Sequence, residues 1–363
     1  MRTIRTPSDD LSHVSTWSAR DARPGLAHGW HGMAWAWLAL VRAGVAPERR
    51  RTLDAIRDRI RGRERPGEAT SLFVGSAARP VVAALASSVD PAGRELAERA
   101  VAEWVGVASA PRAPGDVMLG SAGALLAAAE IAAHLPGRLP RRFVAGLHDR
   151  CRSDLESMIA RAPRAPVYLG LAHGIAGQLL AIESCRNSFG LAVSPGLRRR
   201  TLAALERSAV TVHDHGGLFW PARSGTRVVD SHGWCHGAPG IGLALAACFA
   251  LSGWRGYGRV ASRALLAAAL PVNTSPSICC GALGQVQILV EAARLSGDGR
   301  WLAEADRMAR QLRARRAADP RRARGLWKGR PGHSYVAWRL ASPERVPFPG
   351  LGPLSADVRR RIS

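Results

Sequence analysis

Gly237-Ala238-Pro239-Gly240-Ile241-Gly242-Leu243-Ala244-Leu245-Ala246-Ala247-Cys248 sets two glycines three residues apart ahead of a run that is apolar on nearly every side. A helix with no polar face belongs inside a larger assembly. The same Gly-x-x-Gly, or a close relative, leads into an apolar run seven times. The pairs are Gly29/Gly32, Gly75/Ala78, Gly120/Gly123, Gly174/Gly177, Gly237/Gly240, Gly281/Gly284 and Gly329/Gly332. Their first members stand 46, 45, 54, 63, 44 and 48 residues apart, a period that marks an array of one supersecondary unit.

Helices of another kind fall between these runs. Trp301, Leu302, Ala305, Met308, Ala309 and Leu312 recur at helical spacing with Arg and Glu on the remaining face. So do Phe143, Val144, Leu147, Cys151, Leu155, Met158 and Ile159, and likewise Leu96, Ala100, Val101 and Trp104. Buried helices alternating with amphipathic ones predict an all-α chain: an α/α toroid of about seven repeats, with an inner ring wrapped by an outer one. The paired glycines permit tight turns where each inner helix begins. Those N-termini are expected to converge on one end and to present unpaired N–H groups and positive dipole ends there. Ala78 makes the second repeat the weakest, and no ligand is expected in it. The longest interval, before the fifth repeat, holds strand-like residues between His213 and Val229, which read as a short hairpin on the rim.

The repeats run without a low-complexity linker, so residues 25–351 read as one domain, flanked by a polar N-terminal segment (1–24) and a basic tail (352–363). No apolar stretch has the length of a membrane span and no signal-peptide core precedes the repeats, so a cytoplasmic protein is expected. The net charge of +23 is almost entirely arginine; Lys328 is the chain's one lysine. These arginines spread over the amphipathic helices, densest from Arg310 to Arg324, with no nucleic-acid-binding motif beside them. The charge therefore reads as an outer surface that also attracts an acidic peptide, and nucleic acid is not expected as a partner.

Six cysteines in 363 residues do not form a disulfide framework. Cys151, Cys185 and Cys248 lie in helical surroundings and read as small core residues. Cys235, Cys279 and Cys280 differ, because each stands at a glycine-rich helix entrance in adjacent repeats. Three thiolates suit zinc and leave one tetrahedral position open, as in catalytic zinc sites. The plain alternative is three buried or turn thiols.

The segments Gly170-Leu171-Ala172-His173-Gly174-Ile175-Ala176-Gly177, Gly233-Trp234-Cys235-His236-Gly237-Ala238-Pro239-Gly240 and Cys279-Cys280-Gly281 resemble lanthionine synthetase C-like cyclases. Gly325-Leu326-Trp327-Lys328-Gly329-Arg330-Pro331-Gly332, followed by Tyr335 and Arg339-Leu340-Ala341-Ser342-Pro343, resembles that family's closing motif. With His236 after the cysteine, the chain is most similar to the cyclase domains of class II lanthipeptide synthetases. The resemblance implies an α/α toroid around one zinc ion that adds a peptide cysteine thiol to dehydroalanine or dehydrobutyrine. It implies Cys235 and Cys279 as ligands, and Cys280 where the family usually has histidine, a departure shared by a Cys-Cys-Gly subgroup.

Addition to a dehydroamino acid also needs a proton delivered to carbon. His173 matches the family's active-site histidine, and an imidazole titrating near neutrality suits that duty. A helix-capping histidine is the alternative. Asp116 would orient an imidazole or a water, or simply cap a helix, and His236 would line the site. The substrate implied is a dehydrated precursor peptide. No dehydratase segment is present in the sequence, so a separate dehydratase partner is expected. A catalytically degenerate scaffold subunit is the competing function. Another α/α-toroid enzyme is disfavoured, because no acid pair or Asp-rich motif accompanies the cysteines.

Overall fold

The computed structural model describes residues 24–47, 50–62, 69–109, 114–211, 216–270, 275–314 and 325–351. Residues 1–23, the tail 352–363 and most of the arginine run from Arg310 to Arg324 lie outside them. Seven helices follow the seven glycine pairs: α1 (Gly29–Arg42), α3 (Ala78–Val89), α5 (Ser121–His134), α7 (Ile175–Phe189), α9 (Ala238–Ser252), α11 (Ala282–Ser296) and α13 (Arg330–Ala341). Between them lie α2 (Arg50–Arg61), α4 (Arg94–Ala108), α6 (Arg141–Arg161), α8 (Pro195–Ser208), α10 (Arg255–Ala268) and α12 (Gly299–Ala314).

Each helix of the first set packs on the next, from α1 through α13. Trp35 of α1 meets Tyr335 of α13 with ring centroids 5.9 Å apart, which closes the circle. The second set lies outside. Eleven of the fifteen residues of α9 are buried, against seven of fourteen in its outer neighbour α10. The chain is an all-α toroid, as the alternation predicts.

Two buried carboxylates of the inner helices are paired with arginine, as burial of charge requires. Glu183 of α7 accepts both Arg198 nitrogens, at 2.7 and 3.0 Å, and the Tyr257 hydroxyl at 2.9 Å, binding one inner helix to two outer ones. Glu291 of α11 pairs with Arg294 at 2.6 Å and with the fully buried Arg339 of α13. Arg339 also donates to the Gln287 and Val346 carbonyls, fastening the end of the described chain across the last two repeats.

Each inner helix is entered through a short loop, numbered here 1 to 7 in chain order. These loops fold back beneath their own helices. The N–H groups of Ser121, Ile175, Gly240 and Ala282 donate to the carbonyls seven residues earlier, at Pro114, Tyr168, Gly233 and Ser275, over 2.8–3.2 Å. This corrects the expected array of unpaired N–H groups: no inner helix has a side-chain cap, but backbone carbonyls occupy much of the first turn. The fold-back explains the glycines. A Cβ on Gly240 would stand 2.0 Å from the Trp234 carbonyl oxygen. Gly237 adopts φ of 93°, where a side chain is strained. In the second repeat, with alanine at position 78, α3 starts at that residue, three past Gly75. The other inner helices start at their first glycine or one residue past it.

The strand expectation needs correction too. β2 (Leu218–Phe219) forms, but its antiparallel partner is β1 (Val210–Thr211), upstream of the expected hairpin. Ser224–Val229 does not pair with β2. Instead residues 222–224 pair with the stretch leading into loop 4: Leu169 N donates to Ala222 O at 3.1 Å and Ser224 N to Val167 O at 2.9 Å. The rim segment is thereby strapped to the loop that carries His173.

Candidate active site

Main-chain bonds fasten consecutive entrance loops, except loops 2 and 3, where the Ser71 hydroxyl donates to Met118 O. Ala27 N donates to Phe73 O at 2.8 Å, Val117 N to Ala172 O at 3.1 Å, and Ala172 N to Cys235 O at 3.1 Å. Trp234 N and Cys235 N donate to Cys279 O at 3.0 and 3.3 Å, and Ile278 N donates to Trp327 O at 2.8 Å. Close backbone approach is needed here. A Cβ on Gly170 would stand 2.5 Å from Cys235 O, and one on Gly233 would stand 2.9 Å from Cys280 Cα. Where glycine is absent at this place in loop 3, Asp116 stands, and its side chain reaches into loop 4.

The repeat thus imposes a register on the loops. Two residues before each first glycine come Ala27, Phe73, Met118, Ala172, Cys235, Cys279 and Trp327. One residue before it come His28, Val74, Leu119, His173, His236, Cys280 and Lys328. The latter position is less buried in six of the seven loops, and in loop 5 both positions are half-buried; it faces the mouth of the ring.

The sulfurs of Cys235, Cys279 and Cys280 all lie within 4.8 Å of one another. Cys280 Sγ is 3.2 Å from each of the other two. The trio holds one negative charge readily. Contacts with Cys235 and then Cys279, helped by Lys328 and His236, bring Cys280 down to about 3. Contact with Cys279 pulls Cys235 down, but contact with Cys280 and burial outweigh it and leave Cys235 at about 11. Cys279 is pushed far up by its contacts with Cys235 and Cys280. Cys151, Cys185 and Cys248 lie apart from this cluster and are fully buried; burial holds Cys185 at about 12.

Next to the sulfurs stands a cluster of three rings. His173 Nδ1 lies 2.8 Å from Asp116 Oδ2, so the carboxylate accepts from Nδ1 and leaves Nε2 for the site. Asp116 serves its own loop as well, with Oδ1 accepting Leu119 N at 2.6 Å. His173 does not cap α7, whose N-cap is Gly174. The His236 ring stacks on His173 with centroids 5.7 Å apart and on Tyr168 at 5.3 Å, and Tyr168 also meets His173 at 5.9 Å, so the three rings close a triangle. Arg223, from the rim strap, lies 4.3 Å over the Tyr168 ring and donates to its hydroxyl. His236 Nδ1 is buried with no hydrogen-bond partner, so stacking sets its orientation. Burial first, and then neighbouring His173, hold this imidazole below its usual range.

All six residues singled out in the sequence therefore lie on loops 3 to 6 at one end of the ring. Tyr168 and Arg223 were not foreseen. The signal available for them is faint: an aromatic residue six places before the first glycine, and an arginine in the longest interval.

The sequence signature described as "Lanthionine synthetase C-like protein" matches residues 20–349. The chain belongs to the lanthionine synthetase C-like family. Among solved structures it is similar to one titled "Nisin cyclase", with a TM-score of 0.70 and 15% sequence identity, over 97% of each chain. That likeness is one of fold. No curated protein matches the sequence.

Proposed function

We propose that this protein is a zinc-dependent cyclase that adds a peptide cysteine thiol to dehydroalanine or dehydrobutyrine and closes a (methyl)lanthionine thioether ring. The supporting observation is the meeting of three cysteine sulfurs with the His173–Asp116 pair on neighbouring loops. On this reading residues 25–351 form the catalytic unit.

The donor set fits zinc. Sulfurs in a tetrahedral site with bonds near 2.3 Å stand roughly 3.8 Å apart; 3.2 Å contacts within a 4.8 Å cluster need only a small spread. Cys235, Cys279 and Cys280 would hold the ion. When bound, zinc supplies the substrate cysteine in its thiolate form at neutral pH, where a free thiol with pKa near ~8.5 is mostly protonated.

The remaining work falls to side chains of the ring. As sulfur bonds to the β-carbon, the Cα=Cβ electron pair moves onto the adjoining carbonyl oxygen as an enolate. A proton must then reach the α-carbon. His173 Nε2 takes up the proton that the substrate thiol gives up and then delivers it to the α-carbon, while Asp116 accepts from Nδ1 and aims the ring. His236 packs the other face of His173 and prevents it from swinging away. The basic outer surface draws in an acidic precursor peptide, which a separate dehydratase prepares.

The test is a count of free thiols. Ring closure leaves peptide mass unchanged, so dehydrated precursor peptide is incubated with zinc-loaded protein and then alkylated. Loss of alkylatable thiol that depends on Cys279 and Cys280 supports the cyclase. A folded, zinc-loaded protein that binds this peptide yet leaves every thiol free beyond the uncatalysed rate makes the chain a scaffold.

A further inference from the structure

Fifty-one residues of this chain are lysine or arginine, and one of them, Lys328, is lysine. It stands on loop 7, one residue before the first glycine. That is the register position which carries His173, His236 and Cys280 on the three preceding loops. Loop 7 is held against loop 6 by the bond from Ile278 N to Trp327 O, at 2.8 Å. Trp327 packs on Trp234 of loop 5 with ring centroids 4.4 Å apart. Lys328 is exposed, and the Ile278–Trp327 bond sets it beside Cys280 in the register of the loops. His173, His236, Cys280 and Lys328 therefore form one arc along the mouth of the ring.

We propose that Lys328 is a catalytic residue of ring closure, its ammonium group donating to the carbonyl oxygen that becomes the enolate oxygen of the dehydroamino acid. The inference rests on the cyclase reading above. Attack by sulfur places negative charge on that oxygen while three cysteines already make the neighbourhood electronegative. A donor aimed where charge develops lowers the barrier. The Nζ stays protonated throughout: the electron pair moves to oxygen, returns through the α-carbon as His173 protonates it, and no proton leaves the lysine. An ammonium on a four-carbon stem has three rotatable donors and follows a moving oxygen more readily than a rigid guanidinium does. That preference accounts for lysine here in a chain otherwise served by arginine.

The experiment uses zinc-loaded full-length chain and dehydrated precursor peptide. Lys328→Met should lower kcat by ~10²-fold with KM nearly unchanged and with zinc content as in wild type. Lys328→Arg should recover part of the rate, and methylammonium should restore Lys328→Ala in a saturable way. Because Lys328 is the chain's only lysine, reductive methylation of its ε-amine is read without ambiguity by mass spectrometry of the peptide that contains it. Dehydrated peptide with its cysteines replaced by alanine should slow that methylation several-fold. A kcat within twofold of wild type, a loss confined to KM, or unprotected Lys328 overturns the proposal. If wild-type protein closes no ring, the cyclase reading fails first; active wild type beside fully active Lys328→Met removes this proposal alone.

Discussion

Loops 2 and 5 are built to one backbone plan and filled with opposite chemistry. Gly25 of loop 1 presses on Phe73 and Val74 of loop 2, as Gly170 of loop 4 presses on Cys235 and His236 of loop 5. Ala27 N bonds Phe73 O as Ala172 N bonds Cys235 O. Yet Phe73 is buried with its ring 5.1 Å from Trp234 and 5.5 Å from Trp327, plugging the middle of the ring. Cys235 at the same register position is a candidate ligand. The main chain makes the ring; in these two loops the side chain two places before the glycine is an apolar plug in one and a member of the sulfur cluster in the other.

The sharpest way to break this comparison is to exchange the two kinds of damage. Cys235→Ala should abolish stoichiometric zinc and thiol consumption while leaving the helical fold intact, as elemental analysis and circular dichroism would show. Phe73→Ala should do the reverse, costing about 3–5 kcal/mol in denaturant unfolding with zinc retained. Full zinc in the first variant, or normal stability in the second, would mean that the loops do not divide their labour this way.

Smaller effects sharpen the picture within loop 4. His173→Ala should keep zinc and lose roughly 10²-fold in ring closure. Tyr168→Ala, which frees one face of His236, should cost about tenfold, an effect of ~1.4 kcal/mol. Tyr168→Phe keeps the ring stack and should stay within about threefold; equal losses in the two variants would assign the effect to the hydroxyl bonded by Arg223.

A gentler probe is pH. His232, just ahead of loop 5, is held near 4 by burial, against which its bond to Ala267 O acts only partly. Its folded value lies below the unfolded value of about 6.5. The unfolded chain therefore binds more protons, and stability present above pH 6.5 is lost as pH falls towards 4. Between pH 7.5 and 5.5 this group should remove roughly 1–1.5 kcal/mol, and His232→Gln should flatten that part of the stability profile.

Much of the architecture was legible because glycine is demanded where backbone meets backbone. Gly237 and Gly240 tolerate no Cβ, so the period of the pairs is the period of the fold. The three cysteines were legible for a related reason, since they share the entrance register. Asp116 looked like a possible cap; its reach to His173 depends on loops 57 residues apart in the chain lying side by side. The fold-back left its glycines in the sequence, but not which N–H groups it occupies, because their partners are backbone carbonyls. The Tyr168–Arg223 stack arises from a strap pairing that neither periodicity nor composition encodes. The strand partner of Leu218–Phe219 was misjudged because two-residue strands carry almost no pattern.

Ser342, Val346 and Arg339 draw the end of the described chain back onto the last helix, while Gly325 lies against Ala27 and His28 at its start, where an added Cβ would meet the Ala27 carbonyl oxygen at 3.3 Å. The toroid therefore has a seam, between the seventh unit and the first. Cutting the chain between α4 and loop 3 and joining the present ends would move that seam to the side of the molecule bearing Asp116. Such a rearranged chain would keep every entrance loop and ask which neighbouring pair must be covalently continuous for the mouth to assemble.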